Sequence, residues 1–219
     1  MPSGPRRARR RSPRVQRKRD QARRDIQQAA QDILQEQGAE AVTLASVAGA
    51  LGMTKPALYH YFPSKEALMR GLVTSLVDDE VEALTAAVEA QASVEKTLGT
   101  LIRAFYTHYI HRLDAFRTVY CQSQLYSGPS VGMNEETVRD EINPRTRHLF
   151  DILEKRLAGK STSKAKRARL RRLAFTAWTS VLGLLTMLSV ADVLDDPLIH
   201  SDEELLETLA GVFDGATKN

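Results

Sequence analysis

Residues 43–68 read TLASVAGALGMTKPALYHYFPSKEAL. Leu44, Val47, Ala48 and Leu51 recur at the three- and four-residue intervals that line one face of a helix. Thr43 stands directly before them as a candidate N-cap, its hydroxyl placed to accept an unpaired backbone N–H. Gly52 follows, where a tight turn between helices wants a residue that tolerates positive φ. Thr54 is a second candidate cap, and Pro56 falls in the first turn of the helix it opens, where a missing N–H costs nothing. Pro63 ends that helix, and Ser64 is placed to cap a longer one carrying Leu68, Leu72 and Leu76. Two short helices that cross steeply need a small residue where their backbones approach, and Ala48 supplies it. Val47, Leu51, Met53, Leu58 and Phe62 are the expected core of this unit. With Leu58 and Phe62 turned inward, Lys55, Ala57, Tyr59 and His60 are left facing outward, and such an edge suits a major groove. The stretch predicts a helix-turn-helix.

Upstream, Ile26, Ala29, Ala30, Ile33 and Leu34 mark another amphipathic helix, stopped by Gly38. The chain carries a net charge of +4, unevenly distributed. Its first 24 residues hold eleven Lys and Arg against one acid, Asp20, while the other 195 hold 20 basic and 26 acidic residues. An acidic body behind a cationic arm points to a polyanionic partner. Like charges repel and the arm has almost nothing apolar to bury, so residues 1–19 are expected to be a disordered basic arm that lies along phosphates or enters a minor groove. No apolar run follows the basic start, so it does not read as a secretory signal. A single cysteine, Cys121, excludes an intramolecular disulfide framework and fits a reducing compartment, the cytoplasm.

The segment 43–68 resembles the DNA-binding domain of the TetR family of bacterial transcriptional regulators, most specifically in LYHYFPSKEAL at 58–68. The likeness runs over about residues 24–72. It implies that Thr43 caps the second helix and meets a phosphate. It also implies that Thr54, Lys55, Ala57 and His60 face base edges or nearby phosphates, and that Tyr59 and Tyr61 donate hydroxyl hydrogen bonds to the DNA backbone. Lys65 is implied to anchor a phosphate beside the N-terminus of the fourth helix. The basic arm is longer and more basic than the family usually carries.

Beyond residue 72 the pattern stays helical, so the fold class is all-α. The N-terminal three-helix DNA-binding domain is expected at 20–72 and a helical effector and dimerisation domain at 73–219. Val94, Leu98, Leu101, Phe105 and Tyr109 form one stripe, and Phe116, Tyr120 and Leu125 suggest a further helix. Ser127-Gly128-Pro129 breaks the chain and Asn143-Pro144 opens a helix with Leu149, Ile152, Leu153 and Leu157. Ser201 and Glu204 form a capping box for a last helix with Leu205, Leu209, Val212 and Phe213 inward, closed by Gly215. Residues 173–191 have no charge and are long enough to span a membrane. Thr176, Ser180, Gly183 and Thr186 put small and hydroxyl side chains along one face, which favours a dimer-forming helix and no membrane. Residues 155–172 hold nine basic groups and no acid, and 192–207 seven acids and no base. These are expected to be solvated, or else to meet across a dimer.

By the resemblance, the last two long helices, about 167–192 and 201–215, pair with those of a second subunit. The homodimer then sets two reading helices about one duplex turn, ~34–36 Å, apart on a palindromic operator in double-stranded DNA. Aromatics are only 6% of the chain, so a pocket must draw on a short list of rings. Phe105, His108, Tyr109, Phe116, Tyr120 and Trp178 are the expected effector pocket, suited to a small lipophilic or aromatic effector. His108 and His111 lack a third ligand at helical spacing, so no metal is expected, and no cofactor. No phosphate loop, nucleophile elbow or HExxH run argues for an enzyme. The expected function is a repressor released from its operator by a small molecule. The rival classes are an architectural DNA-binding protein of the same fold without an effector and a tail-anchored membrane protein.

Overall fold

A computed structural model describes residues 13–121, 134–161, 163–194 and 200–217. Helix α1 spans Pro13–Gln37 and buries Ile26, Ala29, Ala30, Ile33 and Leu34. It begins within the expected arm, so residues 13–19 are helical and exposed, a correction to the disordered arm of residues 1–19. Three things favour the extension. Pro13 costs nothing at a first helical position. Arg, Lys and Gln are good helix formers, and lengthening an anchored helix avoids the cost of a new nucleus. Gln16 also donates to Asp20 at 2.8 Å one turn on. Residues 1–12 lie outside the described residues.

Gly38 leaves α1 at φ 80°, and a 3-10 turn, Ala39–Ala41, leads to the fully buried Val42. Helix α2 (Leu44–Ala50) and helix α3 (Lys55–Tyr59) are joined by a turn in which Gly52 has φ 62°. Met53 N–H closes that turn on Ala48 O at 2.8 Å. Ser64 caps the long helix α4 (Lys65–Ala90), accepting from Ala67 N–H at 3.1 Å. Gly71 in α4 is needed for packing: a Cβ there would stand 2.5 Å from Phe62 Cε1, and the Gly71 carbonyl takes a 2.7 Å hydrogen bond from Gln27 of α1. The boundary expected at residue 72 falls inside α4, so one continuous helix belongs to both halves.

Helix α5 (Thr97–Tyr109) packs on α4. Helix α6 (Leu113–Phe116) runs into a π-helical turn, Arg117–Cys121. A short helix α7 (Glu135–Thr137) runs into a second π-helical turn, Val138–Ile142, and on into helix α8 (Asn143–Ala158), which opens with Pro144 in its first turn. Helix α9 (Lys164–Leu194) packs on α5 and α8, and helix α10 (Asp202–Ala216) packs chiefly on α5. The Ser201–Glu204 capping box is present. The core of this half draws on Leu98, Leu101 and Phe105 of α5, Leu149 and Leu153 of α8, Ala174, Ala177, Val181 and Leu185 of α9, and Leu206, Ala210 and Phe213 of α10.

Two expected stripes shift. Val94 lies before α5 and is 47% exposed, and Val212 is 63% exposed because the inward face of α10 runs through 206, 210 and 213. Much of the charge at 155–172 and 192–207 is used within the chain. Arg167 and Arg171 pair with Asp151 and Glu154 of α8, and Arg103 forks onto Glu207 at 2.7 and 2.6 Å. Leu125 and the 127–129 break lie outside the described residues. Among those described, residues 164–189 are long and apolar enough to cross a membrane, yet Leu170, Ala174, Ala177, Val181 and Leu185 of that stretch face the core.

Candidate functional site

The reading helix is positioned from both ends. Thr54 Oγ1 accepts from Ala57 N–H at 3.4 Å, and the N–H groups of Tyr61 and Phe62 both return to Leu58 O. Leu58 and Phe62 are fully buried, which fixes the opposite edge outward. Thr54, Lys55, Tyr59, His60 and Lys65 are exposed, Tyr59 by 48%, while Ala57 and Tyr61 are half-buried. Helix α3 stops at Tyr59, with His60 and Tyr61 in the turn that follows. Thr43 caps α2 as expected, but within a reciprocal box. Ser46 N–H donates to Thr43 Oγ1 and Thr43 N–H to Ser46 Oγ, both at 3.0 Å, and Ser46 Oγ donates to Ala41 O at 2.7 Å. The role of Ser46 is absent from the sequence reading, although a hydroxyl three residues after a cap is a signal for it. The basic start of α1 comes alongside. Val15, Lys18 and Arg19 share a groove of about 560 Å³ with Met53, Ala57, His60 and Tyr61. Arg23 lies 4.6 Å over the Phe62 ring.

In the other half, all six expected pocket residues come together. Phe105, Tyr109 and Phe116 are fully buried, and His108, Tyr120 and Trp178 are half-buried. Their rings meet mostly edge to face, with Phe105–Tyr109 centroids 5.2 Å apart and Phe105–Tyr120 and Tyr120–Trp178 both 5.9 Å apart. At this spacing the rings fill the space among themselves. The tyrosine hydroxyls are engaged. Tyr109 and Tyr120 both donate at 2.6 Å to one oxygen, Oε2, of Glu80 on α4. Glu80 is only 3% exposed, and burial lifts its carboxyl to about 7 although both hydroxyls pull the other way. The same burial, with the Glu80 charge beside them, raises both tyrosines well above their ordinary range. Burial, helped by the nearby Arg112 charge, lowers His108. His108 Nε2 and Trp178 Nε1 are buried without a hydrogen-bond partner among the described residues. Beyond Trp178, an open groove of about 700 Å³ between α8 and α9 is lined by Asn143, Arg147, Phe150, Arg171 and Phe175, among others.

Among the described residues, polar contacts join the two halves at Arg70, which pairs with Glu141 at 3.9 Å, and at Gln31. Gln31 of α1, 7% exposed, donates to Ser75 Oγ at 2.9 Å and Asp79 Oδ2 at 2.8 Å, and its carbonyl oxygen accepts from Arg112 at 3.4 Å. Asp79 is the neighbour of Glu80 in sequence.

Residues 26–72 match the family model described as bacterial regulatory proteins, tetR family. Over those residues the chain is similar to the DNA-binding domain of the TetR family. It is 24% identical over 159 residues, 73% of this chain and 69% of the other, to the HTH-type transcriptional activator FasR of Mycolicibacterium smegmatis. It is 32% identical over 81 residues, 37% of this chain and 40% of the other, to the HTH-type transcriptional regulator BetI of Rhizobium meliloti. Among solved structures, the regulator FadR of Bacillus subtilis in complex with stearoyl-CoA superposes with a TM-score of 0.60 at 15% identity, covering 87% of this chain and 96% of that one.

The matched region is that of a DNA-binding transcriptional regulator. Apart from Thr43 at the cap of α2, the residues expected at its DNA face lie on one contiguous stretch formed by Thr54, α3, the turn after it and the first turn of α4. In the chain's second half the six rings are legible in the sequence, while the carboxylate that two of them hold is legible only in part. Among the described residues, no three metal-ligating side chains converge.

Proposed function

We propose that this regulator binds a palindromic operator as a homodimer and represses transcription until a small molecule enters the ring cluster and releases it. The observation that carries the reading is the outward edge of α3. Lys55, Tyr59 and His60 are exposed on a helix whose inner side is fixed by two fully buried residues, with Lys18 and Arg19 of α1 beside them. Lys55 and His60 are placed for base edges, Tyr59 and Tyr61 for the DNA backbone, and Lys65 for a phosphate at the start of α4. Thr43 offers its hydroxyl to a phosphate only as far as its capping role leaves it free.

Support for dimerisation comes from α9 and α10, which expose Phe175, Met187 and Val212 together with Thr176, Gly183, Thr208 and Gly211. Support for an effector comes from the buried aromatic cluster with its unpartnered polar atoms and from the Gln31 contact that ties that half to the DNA-binding half. FadR of B. subtilis holds a ligand, stearoyl-CoA, in a similar fold. Activation is a second reading, favoured by the name of the mycobacterial relative, FasR, an activator.

Selection of bound sequences from random duplexes tests the proposal. It should recover two inverted half-sites with centres about 10 base pairs apart, or a multiple of that. Lys55→Ala and His60→Ala should alter the recovered bases, whereas Tyr59→Phe and Lys65→Ala should weaken binding to all sequences alike. Recovery of no palindrome would overturn it.

A further inference from the structure

We propose that the ring cluster around Glu80 recognises an organic cation, a protonated amine or quaternary ammonium group carried on an aromatic or aliphatic body. This rests on the reading above that the cluster takes the effector. A carboxylate withdrawn from water needs a cation, hydrogen bonds or a proton. Here the protein supplies two tyrosine hydroxyls, both on Oε2, and no described residue forms an ion pair with Glu80. Of the charged side chains around the cluster, Arg112 reaches Gln31 and Asp79 accepts from Gln31. Burial, and then the Arg112 charge, lower His108.

The carboxylate is held by two members of an aromatic cluster, Tyr109 and Tyr120, whose rings pack against Phe105 and Phe116, with Trp178 against Tyr120. Aromatic faces attract a cation through the ring quadrupole, most strongly when water is excluded, and a carboxylate in the same site adds to the attraction. An anionic ligand would meet repulsion from the ionised Glu80, and a neutral one would gain nothing from its charge. Trp178 Nε1–H and His108 Nε2, which have no partner among the described residues, add a donor and a second polar atom for a polar group elsewhere on the ligand.

The rings touch one another, so the ligand must take a ring's place. Tyr120 is the ring that yields. It is half-buried, whereas Phe105, Tyr109 and Phe116 are fully buried, and it rides on a π-helical turn rather than a regular helix. Its hydroxyl leaves Glu80 as the cation arrives, so the carboxylate keeps a partner throughout.

The test is titration of the full-length protein, following fluorescence of its single tryptophan, Trp178. The probes are benzyltrimethylammonium, its uncharged carbon isostere neopentylbenzene, and phenylacetate. The cation should bind at least about tenfold more tightly than either of the others, and Glu80→Gln should remove that preference. Glutamine keeps an acceptor for both tyrosine hydroxyls, and the charge series in the unsubstituted protein stands without the variant. Equal or tighter binding of neopentylbenzene or phenylacetate would overturn the cation assignment and leave the effector reading standing. An unchanged preference in Glu80→Gln would also overturn it. No response to any of the three would also overturn the cation assignment, while the selection of bound duplexes tests the proposed function separately.

Discussion

Glu80 holds a carboxyl group where burial disfavours its charge, and the consequence is a dependence of stability on pH. The carboxyl sits near 4.5 in an unfolded chain and is lifted to about 7 in the folded one. Between those values the folded protein keeps a proton that the unfolded chain has released, so the protonated group's contribution is fully present below about 4.5 and is lost as the pH rises through 7. The loss is on the order of 3 kcal/mol. Glu80→Gln mimics the protonated form. The variant should match the parent in urea denaturation near pH 5 and exceed it at pH 8 by roughly that amount. Other groups titrate over the same range, but they are common to both proteins and cancel in the difference. A parent that keeps parity with the variant at pH 8 would show that the carboxylate is better solvated than its position implies.

Among the elements, α1 joins the cationic segment to the DNA-binding unit as a rod. Arg14, Arg17, Lys18 and Arg19 stand on its exposed first turns, with Lys18 and Arg19 across a groove from His60 and Tyr61. Deleting residues 1–18 removes eight basic residues. For every phosphate these residues neutralise, the deletion should flatten the slope of log affinity against log salt by about 0.9, and an unchanged slope would mean that the segment is idle on DNA. This helix also marks a limit of what the sequence shows. The caps at Thr43, Thr54 and Ser64, the positive φ at Gly52 and the inward set Val47, Leu58 and Phe62 are legible because each is fixed by residues within one turn. The start of α1 is not, because charge repulsion within the arm competes with a helical anchor downstream at Ile26, and the local pattern carries only the repulsion. Glu80 is legible only in part. It lies four residues from both Leu76 and Leu84 on the apolar stripe of α4, as Glu82 and Glu89 do not. Its partners Tyr109 and Tyr120 arrive on α5 and the π-helical turn, long-range packing that no short window records. The inward face of α10 shifts by one residue, to 206, 210 and 213, because leucines stand on both candidate faces.

For the molecule as a whole, two reading helices can meet successive turns of a duplex only if the subunits are held in a fixed relation, and α9 and α10 offer the surface for it. The hydroxyls of α9 are turned back on their own helix: Thr176 donates to Arg172 O at 2.9 Å, Ser180 to Thr176 O at 2.8 Å and Thr186 to Leu182 O at 2.8 Å. Satisfied in this way, the threonines present methyl groups outward, and Gly183 and Gly211 allow backbones to approach closely. A Cβ added at either glycine meets nothing within 4 Å, so the subunit itself should tolerate a side chain there. Gly183→Arg and Gly211→Arg should therefore fold with unchanged helix content but sediment as monomers, since a paired face would have to bury an unpartnered guanidinium. Affinity for an isolated half-site should persist, while affinity for the full palindrome should fall by on the order of 100-fold or more as the linkage between half-sites disappears. Dimers that persist in both variants would place the subunit contact on another face, and the spacing of the two reading helices would then have to be derived from that face instead.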